Sequence, residues 1–229
     1  MGGFTLQQNG DLLLFRVNNI ALLSLDGKLS QLRTICDDSM IRFNDVIAAP
    51  DGSVFAGTIG RSSQSGGLYQ IRPNGTCTKL FSGTGCSNGM GFSPDLRTFY
   101  WTCSTTRKIF RFDYDNRFGT IGKRRLFYQA TQNEGIPDGL TIDSEGCLWS
   151  ARWGGGCIVR FGKNTEVLET IRFPENNITS LCFGGENLDE LFVTAAGAKE
   201  GNSPLVSALF HTRVNVCGMK EFRSRVSVN

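Results

Sequence analysis

Asp51-Gly52-Ser53-Val54-Phe55 is a polar turn that runs straight into an apolar strand, and the same phrase recurs along the chain. It is found at Asn9-Gly10-Asp11-Leu12-Leu13, Asp95-Leu96-Arg97-Thr98-Phe99-Tyr100, Ser144-Glu145-Gly146-Cys147-Leu148-Trp149 and Asn187-Leu188-Asp189-Glu190-Leu191-Phe192. The turn starts are 42, 44, 49 and 43 residues apart. A strand-built repeat of forty-odd residues predicts a propeller, because one such unit cannot bury its apolar face without a neighbour.

A second strand keeps step with the first: Ala21–Leu25, Gly67–Ile71, Lys108–Phe112, Cys157–Phe161 and Ser207–His211. Alternation in Lys108–Phe112 and the aromatic and β-branched residues favour strands, and no window carries a capped helical period. The expectation is therefore an all-β chain, a β-propeller of the six-bladed type with five blades detectable, each a small four-stranded antiparallel sheet. Residues 1–229 are read as a single propeller domain.

Composition agrees with this reading and excludes several alternatives. The 229 residues are 40% hydrophobic, with 28 Gly, 17 Phe and 6 Pro, which suits one globular domain rich in turns and aromatic packing. Lys and Arg number 24 against 21 Asp and Glu, too small an excess to imply nucleic acid. The one basic run, Lys123-Arg124-Arg125, reads as a solvated hairpin end. No stretch has the length of a membrane span and no basic-then-apolar leader opens the chain. The eight cysteines form no C-x-x-C pair and read as buried thiols in a reducing compartment, so a cytoplasmic location is expected.

In a propeller the innermost strand of each blade lines a central channel, so equivalent residues of several blades converge. Counting back seven residues from Asp51, Asp95, Glu145 and Asn187 gives Asn44, Asn88, Asp138 and Ser180. Asn and Asp offer the oxygen ligands that hard divalent cations prefer. They are also common turn residues when followed by Gly or Asp, and spacing alone leaves both readings open. His211 is the only histidine, which rules out a two-His zinc site and leaves a strand residue. Gly154-Gly155-Gly156 lacks the Lys of a phosphate loop and reads as a tight turn or a close backbone approach.

Several motifs in order make the chain recognisable. Arg42-Phe43-Asn44-Asp45 with Ala56-Gly57-Thr58, Ser87-Asn88-Gly89-Met90-Gly91-Phe92-Ser93, Ile136-Pro137-Asp138-Gly139-Leu140 with Leu148-Trp149, and Cys182-Phe183-Gly184-Gly185 with Phe192-Val193-Thr194 resemble the senescence-marker-protein/gluconolactonase family, which includes regucalcin. The resemblance runs from about Asp11 to about Val214. It implies a six-bladed propeller that hydrolyses a small sugar lactone with one divalent metal ion, calcium or zinc first, magnesium or manganese next. It makes Asn88 and Asp138 metal ligands, Asp138 also the general base, and Arg42 and Asn44 substrate contacts.

Two departures accompany the resemblance. The family's remaining ligand is a Glu of the first blade, and here the first acidic residue is Asp11, already in a turn of the next blade. About one blade, roughly 40 to 50 residues, is thus expected to be absent at the N-terminus. After Gly57-Thr58, where an acidic substrate contact is frequent in the family, this chain reads Ile59-Gly60-Arg61-Ser62. The alternative reading is an inactive propeller that serves as a binding or scaffold module.

Overall fold

All five turn phrases close with the same bond, from the N–H of a left-handed residue back to the carbonyl three residues earlier: Gly10 to Gln7, Gly52 to Ala49, Leu96 to Ser93, Gly146 to Asp143 and Leu188 to Gly185. Three of these donors are glycines, which reach positive φ without a Cβ clash. Leu96 and Leu188 adopt φ 55° without that freedom. In this computed structural model, residues 1–197 and 207–227 are described.

The turns join strands of five antiparallel sheets, giving the expected β-propeller class. The first sheet holds β1 (Gly3–Leu6), β2 (Leu12–Phe15), β3 (Asn19–Leu23) and β4 (Leu29–Thr34). The second holds β5 (Met40–Ala48), β6 (Val54–Gly60), β7 (Gly66–Ile71) and β8 (Cys77–Thr84). The third holds β9 (Ser87–Phe92), β10 (Thr98–Cys103), β11 (Lys108–Asp115) and β12 (Thr120–Gln129), and the fourth β13 (Ile136–Ile142), β14 (Leu148–Trp153), β15 (Cys157–Phe161) and β16 (Val167–Arg172). In the fifth, β17 (Ile178–Gly184), β18 (Glu190–Ala196) and β19 (Ser207–Arg213) make three strands among the described residues, where four were expected. The helical content there is two single 3-10 turns, at Ser104–Thr106 and Gln132–Glu134. None is long or apolar enough to cross a membrane.

The chain divides into two compact units. One comprises Met1–Asn88, Tyr114–Ile121 and the segment from Glu221 onward. Its core lies between the first and second sheets, where Leu13, Phe15 and Ile20 meet Phe43, Val54, Tyr69 and Ile71. Phe15 and Phe43 cross edge to face with centroids 5.3 Å apart, a geometry that adds to simple area burial. The C-terminal segment clamps the end of β1. Ser224 pairs with Gln7 in parallel, its N–H donates to Leu6 O at 2.8 Å, and the Gln7 side chain bonds both N–H and C=O of Val226.

The other unit comprises Gly89–Asp113 and Gly122–Lys220. One core layer joins Tyr100, Ile109 and Phe127 to Leu140, Ile142, Leu148 and Phe161, and the next joins Trp149, Ala151 and Ile158 to Ile178, Leu181, Leu191 and Val193. Middle strands such as β14 are buried on both faces, while the last strand of the blade, β16, is almost wholly exposed. That gradient explains why the middle strands read as near-continuous apolar runs and the outer ones are polar.

Two expectations need correction. Lys123-Arg124-Arg125 lies within the exposed strand β12 rather than at a hairpin end, because β12 starts at Thr120; Arg125 pairs with Asp113 and Arg124 lies over Phe110. Only Cys103, Cys147 and Cys157 are buried, whereas Cys36, Cys182 and Cys217 are exposed. Strand alternation turns Cys182 outward between buried Leu181 and half-buried Phe183. His211 and the triple glycine fall as read, the first in β19 and the second in the turn between β14 and β15.

Candidate active site

Asn44, Asn88, Asp138 and Ser180 stand not in turns but inside β5, β9, β13 and β17, the first strand of each sheet. In three of these strands the register slips at that point. Between Phe43 and Val46 β5 advances three residues while β6 advances two, and β13 does the same between Pro137 and Leu140 against β14. In β17 two residues, Ile178 to Ser180, span a single step of β18. Each slip is a β-bulge, one extra residue that bends the strand and re-aims its side chains. In these three strands the recurrence in sequence is thus a recurrence of bulges.

Glycines beside these residues serve packing rather than turning. A Cβ on Gly89 would sit 2.5 Å from the carbonyl oxygen of Asp138 and 2.6 Å from the nitrogen of Leu140. On Gly139 it would sit 2.5 Å from Ser180 Oγ and 2.8 Å from Thr179 O. Neither glycine has positive φ. β9 therefore rests directly on β13, and β13 on β17, wherever a glycine follows the Asn or Asp.

Within the first unit the structure brings Asn44 and Asn88 into contact. Asn44 Nδ2 donates to Asn88 Oδ1 at 2.5 Å and to Ser87 O at 3.0 Å, while Asn88 Nδ2 points at Cys86 Sγ, 3.5 Å away. Both amides are half-buried. The bond fixes which end of Asn88 presents oxygen. Arg42, on the same strand as Asn44, is half-buried and donates from Nη1 to Phe43 O at 2.9 Å. Asp138 belongs to the second unit, half-buried at the bulge of β13 between buried Pro137 and Gly139. Ser180 is exposed on β17.

Two carboxylates beside this set had no role in the sequence reading. Asp45 shares the bulge with Asn44, and burial raises its pKa to about 6 against the opposing bond from Val46 N–H at 2.9 Å. Glu221 remains open to water yet is ringed by protein, which raises its pKa, and the charge of Asp45 raises it further. Adjacency to Asn44 was the available signal for Asp45. Glu221 lies beyond the last repeat, where periodicity gives no signal at all.

One group of three metal-capable side chains is found among the described residues, Asp143, Glu145 and Cys147 in the turn before β14. Its central carboxylate is already spent. Asp143 Oδ1 accepts the N–H groups of Glu145 and Cys147, and Oδ2 accepts Trp149 Nε1 at 2.9 Å and Arg160 Nε at 2.8 Å. This cluster is a structural pin.

Residues 1–197 match the family described as SMP-30/Gluconolactonase/LRE-like region. The chain is 38% identical to pentonolactonase XacC of Haloferax volcanii, over 99% of this chain and 80% of that protein. It is 38% identical to regucalcin of Gallus gallus over 70% of this chain and 56% of that protein. Among solved structures it is similar to the calcium-binding protein regucalcin from Agrobacterium tumefaciens, with a TM-score of 0.89 at 27% identity, covering 97% of this chain and 79% of that one.

Proposed function

Because this chain belongs to the SMP-30/gluconolactonase/LRE-like family, we propose that it hydrolyses small sugar lactones, opening the ring ester to the corresponding hydroxy acid. Asn88 and Asp138 would hold one divalent cation, calcium or zinc, and their donor set suits it: one amide oxygen, oriented by Asn44, and one carboxylate. When bound, the cation supplies a Lewis acid for the lactone carbonyl and lowers the pKa of water. Asp138 accepts the proton of the attacking water. Arg42 donates hydrogen bonds to the ring and hydroxyl oxygens, and Asn44, whose two N–H groups are taken by Asn88 and Ser87, accepts from a substrate hydroxyl through Oδ1, so that together they hold the ring for attack. A pentose-derived lactone is the first substrate to try, since one relative matched along 99% of this chain is a pentonolactonase.

The observation that supports this reading is the shared bulge, a three-against-two slip that contains Asn44 in β5 and Asp138 in β13. It is tested by following acid release from five- and six-carbon aldonolactones, with added cation and with chelator. Cation-dependent hydrolysis is expected. Asp138→Asn is nearly isosteric and should keep the melting temperature while lowering kcat by at least ~100-fold, the usual contribution of a positioned base. Asn88→Ala should raise the cation concentration required, and Arg42→Ala should act mainly on KM. Asp138→Asn turning over like the parent at saturating cation would refute the assignment.

A further inference from the structure

The side chain of Arg152 in β14 is 1% exposed, and its Nε and Nη1 have no hydrogen-bond partner among the described residues. A buried guanidinium normally finds a carboxylate or carbonyl, because an unpaired buried charge is strongly disfavoured. Here its neighbours are two aromatic faces, Tyr128 and Phe161, each with its ring centroid 5.3 Å from the guanidinium carbon. Rings compensate a cation in part but accept no strong N–H bond. Glu134, the carboxylate nearest in character, is engaged elsewhere: one oxygen accepts Tyr128 OH and the other the N–H of Thr131.

Arg152 lines a cavity of about 180 Å³ together with Glu134, Gly155, Cys157, Thr170 and Arg172. Gly155 admits no side chain in this lining, since a Cβ there would stand 2.8 Å from Arg152 Cβ and 3.0 Å from Glu134 O. The triple glycine thus has a second use besides turning. Arg172 is exposed at the outer strand β16, giving the cavity one buried cation and one solvated cation against the single carboxylate of Glu134. Its volume lies below the range of drug-sized ligand pockets, so the occupant is small.

We infer that this cavity in the fourth sheet is a binding site for a small oxyanion, a phosphate or a compact carboxylate, held between the cationic side chains of Arg152 and Arg172 that line it. None of Asn44, Asn88 and Asp138 lines it, and it does not depend on the lactonase reading. Binding to the folded form alone raises the melting temperature. At a hundredfold excess over Kd the rise should be on the order of 5–10 °C for a chain of this size.

The test is thermal unfolding and calorimetric titration of the full chain with sodium phosphate in one arm and sodium acetate in another, against sodium chloride at matched ionic strength. A saturable shift with phosphate alone identifies a tetrahedral anion, and one with acetate identifies a carboxylate. Arg152→Met should abolish the shift and leave lactone turnover unchanged. Arg172→Gln, at an exposed position that does not threaten folding, should raise Kd about tenfold. No saturable shift above chloride in the parent chain, or an unchanged Kd in Arg172→Gln together with a shift retained in Arg152→Met, overturns the proposal. Should Arg152→Met fail to fold, an unchanged Kd in Arg172→Gln overturns it by itself.

Discussion

Replacing Asp143 by Ala should be among the most damaging single changes in this chain. The side chain is fully buried, and its two oxygens take four hydrogen bonds: two from backbone N–H groups that shape the turn, one from the fully buried Trp149 and one from Arg160. Bonds to a charged acceptor typically weigh ~1.5–3 kcal/mol each in mutational terms, but these four share one group and do not add. Removing one partner of a buried ion pair costs ~3–5 kcal/mol. Arg160 keeps Glu145 at 2.6 Å and stays stacked over Trp149, so the lower end applies, about 3 kcal/mol. For a chain of this length that is a fall in melting temperature of roughly 6–12 °C. Differential scanning calorimetry of the parent chain and of Asp143→Ala measures it. A loss below about 1 kcal/mol would refute the pin. Chelator provides the control: if Asp143, Glu145 and Cys147 instead held a cation, chelator would lower the melting temperature of the parent chain and leave that of Asp143→Ala unmoved.

Asp45 should give stability a falling slope with pH. The unfolded carboxylate titrates near ~3.9 and the folded one at about 6, so the native state holds the extra proton between these values and stability declines as pH rises through them, by roughly 3 kcal/mol. Asp45→Asn should flatten the melting temperature between pH 4 and 6, and an unchanged slope would remove the burial argument. At Leu96, held at φ 55°, Leu96→Val should cost more than ~1 kcal/mol while Leu96→Gly costs nothing or stabilises slightly; equal effects in urea melts would mean that the turn relaxes. Gly139→Ala forces a Cβ to within 2.8 Å of backbone in β17 and should destabilise by ~2 kcal/mol or more, a loss that trimming Ser180 to Gly does not restore, because Thr179 O remains in place.

The blade period was legible because it rests on local chemistry. A turn that needs a left-handed residue selects Gly or Asn nearby, and a strand packed on both faces selects apolar runs, so Gly52-Ser53-Val54-Phe55 and its counterparts announce themselves. What depends on a partner far away in sequence was not legible. Gln7 and Ser224 carry no mark of the bridge they form across 217 residues of chain. Asp143 reads as one more turn carboxylate, like Asp51 or Asp95, until Trp149 and Arg160 are seen to converge on it. Asp45 reads as half of a turn dipeptide because the bulge that removes it from the ladder leaves no trace in composition.

The dipeptides Asn88-Gly89 and Asp138-Gly139 show why candidate site and period coincide. Read locally, each is a turn signal, and that reading fails because both lie within strands and neither glycine has positive φ. The glycine is required by the neighbouring strand, which approaches too closely for any Cβ, and the bulge in β13 turns the residue before it out of regular pairing. Packing therefore fixes the residue after each polar side chain, and chemistry fixes the polar side chain itself. A substitution at Gly89 or Gly139 would move Asn88 or Asp138 without touching either, so loss of activity there must be read together with loss of stability. At Asp138 the two separate, because its side chain is half-buried and Asn occupies the same volume. That is the physical reason for placing the decisive activity test on Asp138 rather than on the glycine that follows it.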